Sequence, residues 1–248
     1  MRIAIAGGTG LVGALTADAV RAAGHEAVIL ARSQGVDLVT GTGLDAALDG
    51  AAAVIDASNI TTLSADAASE FFTAATGNLI AASGRAGVRH LVLLSIVGID
   101  RIPFGYYAGK LAQERVVEAS PVPWTIQRAT QFHEFAAQMF ARAKAGPLHL
   151  APRARTQPIA AGEVGERLVS LAAGDPLGRA RDIAGPREEA LDAMVKAYAK
   201  AIGYRGWVPS ISIRTDQMKG MRQGLALPDA DADLGHQSFT DWLAAQHR

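Results

Sequence analysis

Residues 1–13, Met1-Arg-Ile-Ala-Ile-Ala-Gly-Gly-Thr-Gly-Leu-Val-Gly13, decide the fold. They read as a short apolar strand, a glycine-rich turn and the start of a helix running through Leu11 to Ala23. The spacing fits GxxGxxG (Gly7, Gly10, Gly13) and equally GxGxxG (Gly8, Gly10, Gly13). In that setting Gly7 and Gly10 let the backbone turn tightly and approach a pyrophosphate, while Gly13 lets the helix lie close to the sheet. The helix start then offers unpaired amides and a positive dipole end to phosphate. A strand before the glycines and a helix after them make dinucleotide binding the expected role, with Gly7, Thr9, Gly10, Leu11, Val12 and Gly13 as its residues.

Working outward, apolar strands and helical runs alternate. Strands are expected at Ile3 to Ala6, Ala27 to Ala31, Val36 to Val39, Ala53 to Ala57, His90 to Ser95 and Trp124 to Arg128. Helices are expected at Val12 to Ala23, Leu44 to Leu48, Ala65 to Ala86 and Tyr106 to Ala119. This succession is the pattern of a parallel sheet covered on both faces, and the nucleotide motif makes it a doubly wound Rossmann-type α/β fold. Beyond residue 131 the pattern loosens: helices at Phe132 to Ala143, Ala161 to Leu171, Arg187 to Ile202 and Phe239 to Leu243, and a strand at Val208 to Ile213. Residues 1–131 are therefore read mainly as the nucleotide-binding core, and 132–248 as a small substrate region packed with it as one unit.

Composition narrows the partners. Twenty-four basic and 24 acidic residues give a formal net charge of 0, with no long basic run, so neither nucleic acid nor an anionic membrane is favoured. The chain has no cysteine, which excludes disulfides, a catalytic thiol and a thiolate metal site, and the histidines show no ligand spacing, so no metal is expected. The opening strand leaves no room for a signal peptide and no stretch is long enough to span a bilayer, so a cytoplasmic location is expected. Oligomeric state is not specified.

The second strand ends Ala27-Val-Ile-Leu-Ala-Arg32-Ser33, without the acidic residue that usually accepts from an adenosine ribose. Arg32 and the Ser33 hydroxyl suit a 2′-phosphate instead, so NADP is the expected cofactor, NADPH preferred, with NAD still open. Tyr106 and Lys110 stand four residues apart, on one face of a helix. An ammonium there favours the phenolate, and Ser95 at the end of the preceding strand can bind the same substrate oxygen. These three are the candidate catalytic residues, although Tyr107 also lies three residues from Lys110. Gln131, Phe132, His133 and Phe135, together with Phe104 just ahead of Tyr106, are candidates for binding a planar substrate; core packing is the plainer reading of the two helical aromatics. Arg153 and Arg155 form a small basic patch, read as a solvated loop or as a phosphate contact.

Taken together, Gly7-Gly-Thr-Gly-Leu-Val-Gly13, Leu93-Leu-Ser-Ile-Val-Gly-Ile-Asp100, Tyr106-Tyr-Ala-Gly-Lys-Leu-Ala-Gln-Glu114, Arg128-Ala-Thr-Gln-Phe132, Gly185-Pro186 and Phe239-Thr-Asp-Trp-Leu243 resemble an atypical short-chain dehydrogenase/reductase of the NmrA-like, NAD(P)H-binding branch. The resemblance spans essentially the whole chain. It implies cofactor contacts at Gly7, Thr9, Gly10, Leu11, Val12 and Arg32, a ribose contact from Lys110, and Ala57, Ser58 and Asn59 beside the adenosine portion. Members of this branch either reduce quinones and other conjugated carbonyls or bind NADP without turnover. The expected activity is thus hydride transfer from NADPH to a small carbonyl or quinone; the alternatives are an NADP(H)-sensing regulatory protein and, ranked lower, a nucleotide-sugar epimerase or dehydratase. The interval from Ser95 to Tyr106 is shorter than in the superfamily's usual pattern.

Overall fold

Strand Arg2–Ala6 (β1) lies inside a parallel sheet, with a strand on either side, because it is apolar on both faces: Ile3, Ala4, Ile5 and Ala6 are all fully buried. The computed structural model describes residues 1–246. After β1 come α1 (Leu11–Ala22), β2 (Glu26–Leu30), α2 (Leu44–Leu48), β3 (Ala53–Asp56), α3 (Ala65–Arg85), β4 (His90–Ile96), α4 (Tyr106–Glu118), β5 (Trp124–Ala129), α5 (Phe135–Arg142), α6 (Ala161–Ala173), α7 (Leu191–Ala201), α8 (Asp216–Arg222) and α9 (Phe239–Ala245). Two-residue strands fill the later connections.

The chain divides into two units. The first holds Met1–Ile96, Pro103–Arg128 and Ala161–Arg181. Its strands run β2-β1-β3-β4-β5, with Gly178–Arg179 parallel to β5. In-register pairs such as Ala4↔Val28, Ala4↔Val54 and Val54↔Leu91 put one apolar row beneath α3 and α4, in a core that includes Leu30, Leu79, Leu93, Val117 and Ile126. Alternation sends Ile3, Ile5, Ile55 and Val92 to the opposite face, which α1 and α6 cover. The chain leaves β1 for β2 on one side and returns as β3 on the other, so the strand order reverses between β1 and β3. In such sheets that reversal opens a crevice at the carboxyl ends of the two strands.

The second unit holds Val97–Ile102, Ala129–Ala160 and the chain from Asp182 onward. Ile183–Ala184 runs parallel to Asp233–Leu234, Glu189–Ala190 antiparallel to Arg155–Thr156, and Ser210–Ile211 parallel to Ala151–Pro152. Thr215 caps α8, and Ser238 with Asp241 forms a capping box on α9.

Several boundaries differ from the sequence reading. Val36–Val39 is no strand. Asp37 accepts from the Val39 and Thr40 amides and Asn78 donates to the Leu38 and Val39 carbonyls, so the backbone groups a strand would pair are used in a turn. The helix expected from Phe132 begins at Phe135, because Phe132 bridges Ile159 and the His133 amide donates to the Ile159 carbonyl. The helix expected from Arg187 begins at Leu191, since Glu189 and Ala190 pair with the 155–156 strand. The strand expected at Val208–Ile213 shortens to Ser210–Ile211, and α8 was not foreseen.

Helices α3 and α4 meet at Gly109, where a Cβ would lie 2.4 Å from Ala68 Cβ and 2.7 Å from its carbonyl carbon. Gly109→Ala gains about 1 kcal/mol of helix propensity. Overpacking against backbone outweighs that, and the expected net loss is about 1–3 kcal/mol in denaturant unfolding. A double-mutant cycle with Ala68→Gly should recover part of the loss; a stabilised Gly109→Ala protein refutes the close approach.

Candidate functional site

The turn after β1 is built by backbone. Gly7 has φ +73, in the left-handed region, and its carbonyl accepts from the Gly10 amide at 2.9 Å. A Cβ on Gly7 would sit 2.5 Å from the Ala57 carbonyl oxygen, and one on Gly13 would sit 2.1 Å from the Gly7 oxygen. The loop, the first turn of α1 and the exit of β3 therefore touch main chain to main chain, as glycine alone permits. Gly10 caps α1 with no side-chain hydrogen bond, and Thr9, Gly10 and Leu11 are exposed, so the first-turn amides face outward at a positive helix end. A pyrophosphate fits this cradle.

Arg32 opens a short 3-10 turn (Arg32–Gln34) after β2. Arg32 and Ser33 are both exposed, and no ion pair or side-chain hydrogen bond among the described residues engages Arg32. Asp37, the nearest acid downstream, is committed to its own turn.

At the end of β3, buried Asp56 accepts from the Ser58 amide at 2.9 Å, the Thr76 hydroxyl at 3.2 Å and Gln113 Nε2 at 3.0 Å. The Ala57 amide donates to the Ala6 carbonyl, and the buried Ser58 hydroxyl has no hydrogen-bond partner among the described residues. Exposed Asn59 accepts from the Tyr106 hydroxyl at 2.8 Å.

Lys110, only 3% exposed, donates to the Leu94 carbonyl at 2.7 Å and to Gln113 Oε1, with its ammonium 4.8 Å above the centre of the Phe72 ring. The same ring meets Tyr106 edge-on. Burial lowers the Lys110 ammonium from its ordinary 10.5 to about 8, against the pull of Asp56 and Glu114. Burial chiefly, helped by Tyr107 and Asp56, pushes the Tyr106 phenol above its usual range, so it is a neutral hydrogen-bond donor. Ser95 is 2% exposed. Its hydroxyl makes no well-formed hydrogen bond, yet it lies near enough to Glu114 to favour that carboxylate. Glu114 is fully buried; burial pushes its pKa upward, but bidentate Arg128, Ser95 and Arg179 prevail and hold it low. Tyr106, Lys110 and Ser95 thus share the region around α4, with their hydrogen-bonding atoms turned to Asn59, to Leu94 and Gln113, and toward Glu114.

The substrate candidates are more scattered. Phe104, in the first unit, is 47% exposed just before α4. In the second unit Gln131 accepts from the Thr156 hydroxyl at 2.6 Å, and Phe132 and Phe135 are half-buried. His133 is fully buried, bonded to the Gln237 carbonyl and surrounded by the Phe239 and Trp242 rings. Sequence reasoning missed Asp56, Thr76 and Gln113. The one local signal was Gln113, a turn beyond Lys110 on the same helix face. Among the described residues no group of three or more histidines and acids gathers as a metal site, and no helix is long and apolar enough to cross a membrane.

Residues 7–149 match the model of the NAD(P)H-binding family. The chain belongs to this NAD(P)H-binding family. No curated protein matches it. Among solved structures it resembles MoeE5 with UDP-glucose and NAD (16% identity, TM-score 0.75, covering 100% of this chain and 97% of that one). It resembles the NADPH-dependent quinone oxidoreductase QOR2 of Escherichia coli with NADPH (16%, 0.73, 99% and 100%). It also resembles the triphenylmethane reductase of Citrobacter sp. (13%, 0.73, 100% and 99%). At these identities the likeness shows a shared fold, that of the NAD(P)-dependent oxidoreductases and epimerases.

Below about pH 8 folded and unfolded chains both hold the Lys110 proton, and the folded state bears the full cost of a buried ammonium. Between about 8 and 10.5 the unfolded chain binds more protons, so this residue makes stability rise with pH. Lys110→Met removes that contribution. The wild-type minus variant unfolding free energy should climb by on the order of 2–3 kcal/mol across this interval in urea titrations, and a flat difference rejects the buried ammonium.

Proposed function

We propose that this protein is an NADPH-dependent reductase that transfers hydride to a small carbonyl or quinone acceptor. The observation that carries the reading is the pairing of an uncapped α1 terminus behind a backbone-only glycine turn with an unpaired Arg32 after β2. The turn suits a pyrophosphate, and the guanidinium suits the extra phosphate of NADP with no acid beside it to repel that charge. Ala57, Ser58 and Asn59 border the same turn, since Gly7 abuts the Ala57 carbonyl, and belong to the adenosine side.

NADPH supplies hydride from C4 of its reduced nicotinamide, and the remaining work falls to the chain's own groups. Tyr106 presents a neutral hydroxyl near the opening of α4 and donates its proton to the acceptor oxygen as hydride arrives. Lys110 holds the ribose and, as a cation, favours the phenolate that this donation leaves behind. Ser95, buried beside Glu114, acts on the site through that carboxylate and the placement of α4. Phe104, exposed just ahead of α4, is the first unit's aromatic candidate for the substrate side. A quinone accepts hydride with less help from a protein acid than a ketone does, so the raised phenol favours quinone-type acceptors. QOR2, whose fold this chain shares, is described as an NADPH-dependent quinone oxidoreductase.

Arg32→Ala is expected to weaken NADPH binding about tenfold or more while leaving NADH nearly unchanged, read by titrating nucleotide fluorescence. Equal losses for both nucleotides remove the 2′-phosphate role. Initial rates of NADPH oxidation over quinones, aldehydes and ketones test the activity itself. Tyr106→Phe should lower ketone turnover by about 10²-fold or more, lower quinone turnover less, and spare NADPH affinity. Tight NADPH binding with silence across the panel favours the sensor reading instead.

A further inference from the structure

The second unit carries a cleft of about 670 Å³ that the reading above does not use. It is broad and open to solvent on one side. The walls come from the end of α7 and the chain that follows it, with Arg153 on the rim. Three cations, Arg153, Lys196 and Lys200, line it, and no carboxylate does. Arg153 and Lys200 have no ion pair or side-chain hydrogen bond among the described residues, whereas nearby Arg155 and Arg187 are paired with Glu188 and Glu189. Lys196 Nζ donates to the Ser210 hydroxyl at 2.6 Å, and that hydroxyl donates to Asp192 at 2.6 Å. An ammonium so tethered keeps further N–H donors for a ligand.

Trp207 lines the same cleft at 72% exposure. So exposed an indole face is open for a planar ring to cover. The support beneath it is firm. Tyr204 lies edge-on to Phe140 and His149, which stack with ring centres 3.9 Å apart. A Cβ on Gly206 would sit 2.3 Å from the Tyr204 hydroxyl, so the chain passes tightly over that ring immediately before Trp207. The Ala151 amide donates to the Pro209 carbonyl at 2.9 Å and the Arg153 amide to the Ile211 carbonyl at 2.8 Å. Arg153 and the Pro209 wall are therefore held by strand-like pairing.

We propose that this cleft is a second ligand site for a small anionic aromatic molecule, its ring on Trp207 and its anionic group held by Arg153, Lys196 and Lys200. A planar ring on indole gains stacking, and a phosphate or carboxylate gains charge-assisted hydrogen bonds from Arg153 and Lys200, with Lys196 beside them keeping donors beyond its bond to Ser210. Neither contact depends on the glycine turn or on reductase activity, so the proposal stands apart from the function assigned above.

The test is a tryptophan-fluorescence titration of the intact protein with AMP and, separately, 4-hydroxybenzoate, repeated on Trp207→Phe to isolate one of the chain's 3 tryptophans. At least one probe should give a saturable change that disappears in Trp207→Phe. The Arg153→Ala/Lys200→Ala variant, whose circular dichroism should be unchanged, should bind that probe about tenfold or more weakly. Where AMP responds, adenosine and inorganic phosphate, each carrying half of the recognised chemistry, should bind far more weakly than AMP. A response to AMP alone identifies the anion as phosphate, and a response to 4-hydroxybenzoate alone identifies it as carboxylate. No saturable Trp207 signal from either probe, or undiminished affinity in the double variant, overturns the proposal.

Discussion

A lysine ammonium buried to 3% exposure has to be satisfied by the protein around it, and the contacts of Lys110 organise the packing of α4 for that reason. Its hydrogen bonds reach the Leu94 carbonyl on β4 and Gln113 one turn along α4. Gln113 passes the connection to Asp56 at the end of β3 and to Thr76 on α3, and Asp56 in turn holds the Ser58 amide. Two strands and two helices are thus tied through one chain of polar contacts inside an otherwise apolar core. Because each donor in the chain also serves a neighbour, loss of one partner leaves a buried polar group unsatisfied, which costs more than the bond itself contributes.

Steric limits set the rest of the geometry. At Gly13 and Gly109 a single methyl would collide with neighbouring backbone, so the first helix and the α3–α4 pair approach only because those side chains are missing. The first approach presents the amides of α1 beside the exits of β1 and β3. The second sets α4, with Tyr106 and Lys110, against Phe72 on α3. Glu114 adds a separate anchor: a fully buried carboxylate with Arg128 and Arg179 around it ties α4 to β5 and to the strand beside it. Such a buried ionic cluster is weak evidence of net stability, but removing one partner would leave an uncompensated charge.

The NAD(P)H-binding family and its structural neighbours share this frame while differing in chemistry, since quinone reduction and nucleotide-sugar chemistry both appear among folds similar to this one. The chemistry of the present chain rests on individual side chains: an Arg32 with no ion pair among the described residues, a raised Tyr106 phenol bonded to Asn59, and a lysine whose pKa is lowered by burial. The second unit adds a cationic, aromatic cleft of its own.

The sequence by itself determined the glycine turn, the alternation of strands and helices through β5, and the placement of Tyr106 and Lys110 on one helical face. These depend on residues a few positions apart, where backbone freedom and periodicity act directly. It also made plain that no acid follows β2. Only the tertiary structure decided that residues 36–39 form a turn, because the side chain that captures their carbonyls comes from Asn78 on α3. The same holds for His133, whose aromatic surroundings are drawn from α9, and for Glu189–Ala190, taken from a helix by a strand more than 30 residues earlier. The Leu94 carbonyl that accepts from Lys110 and the Asp56 carboxylate that accepts from Gln113 were hidden as well, since both are distant in sequence and local pattern carries no record of which distant groups will meet.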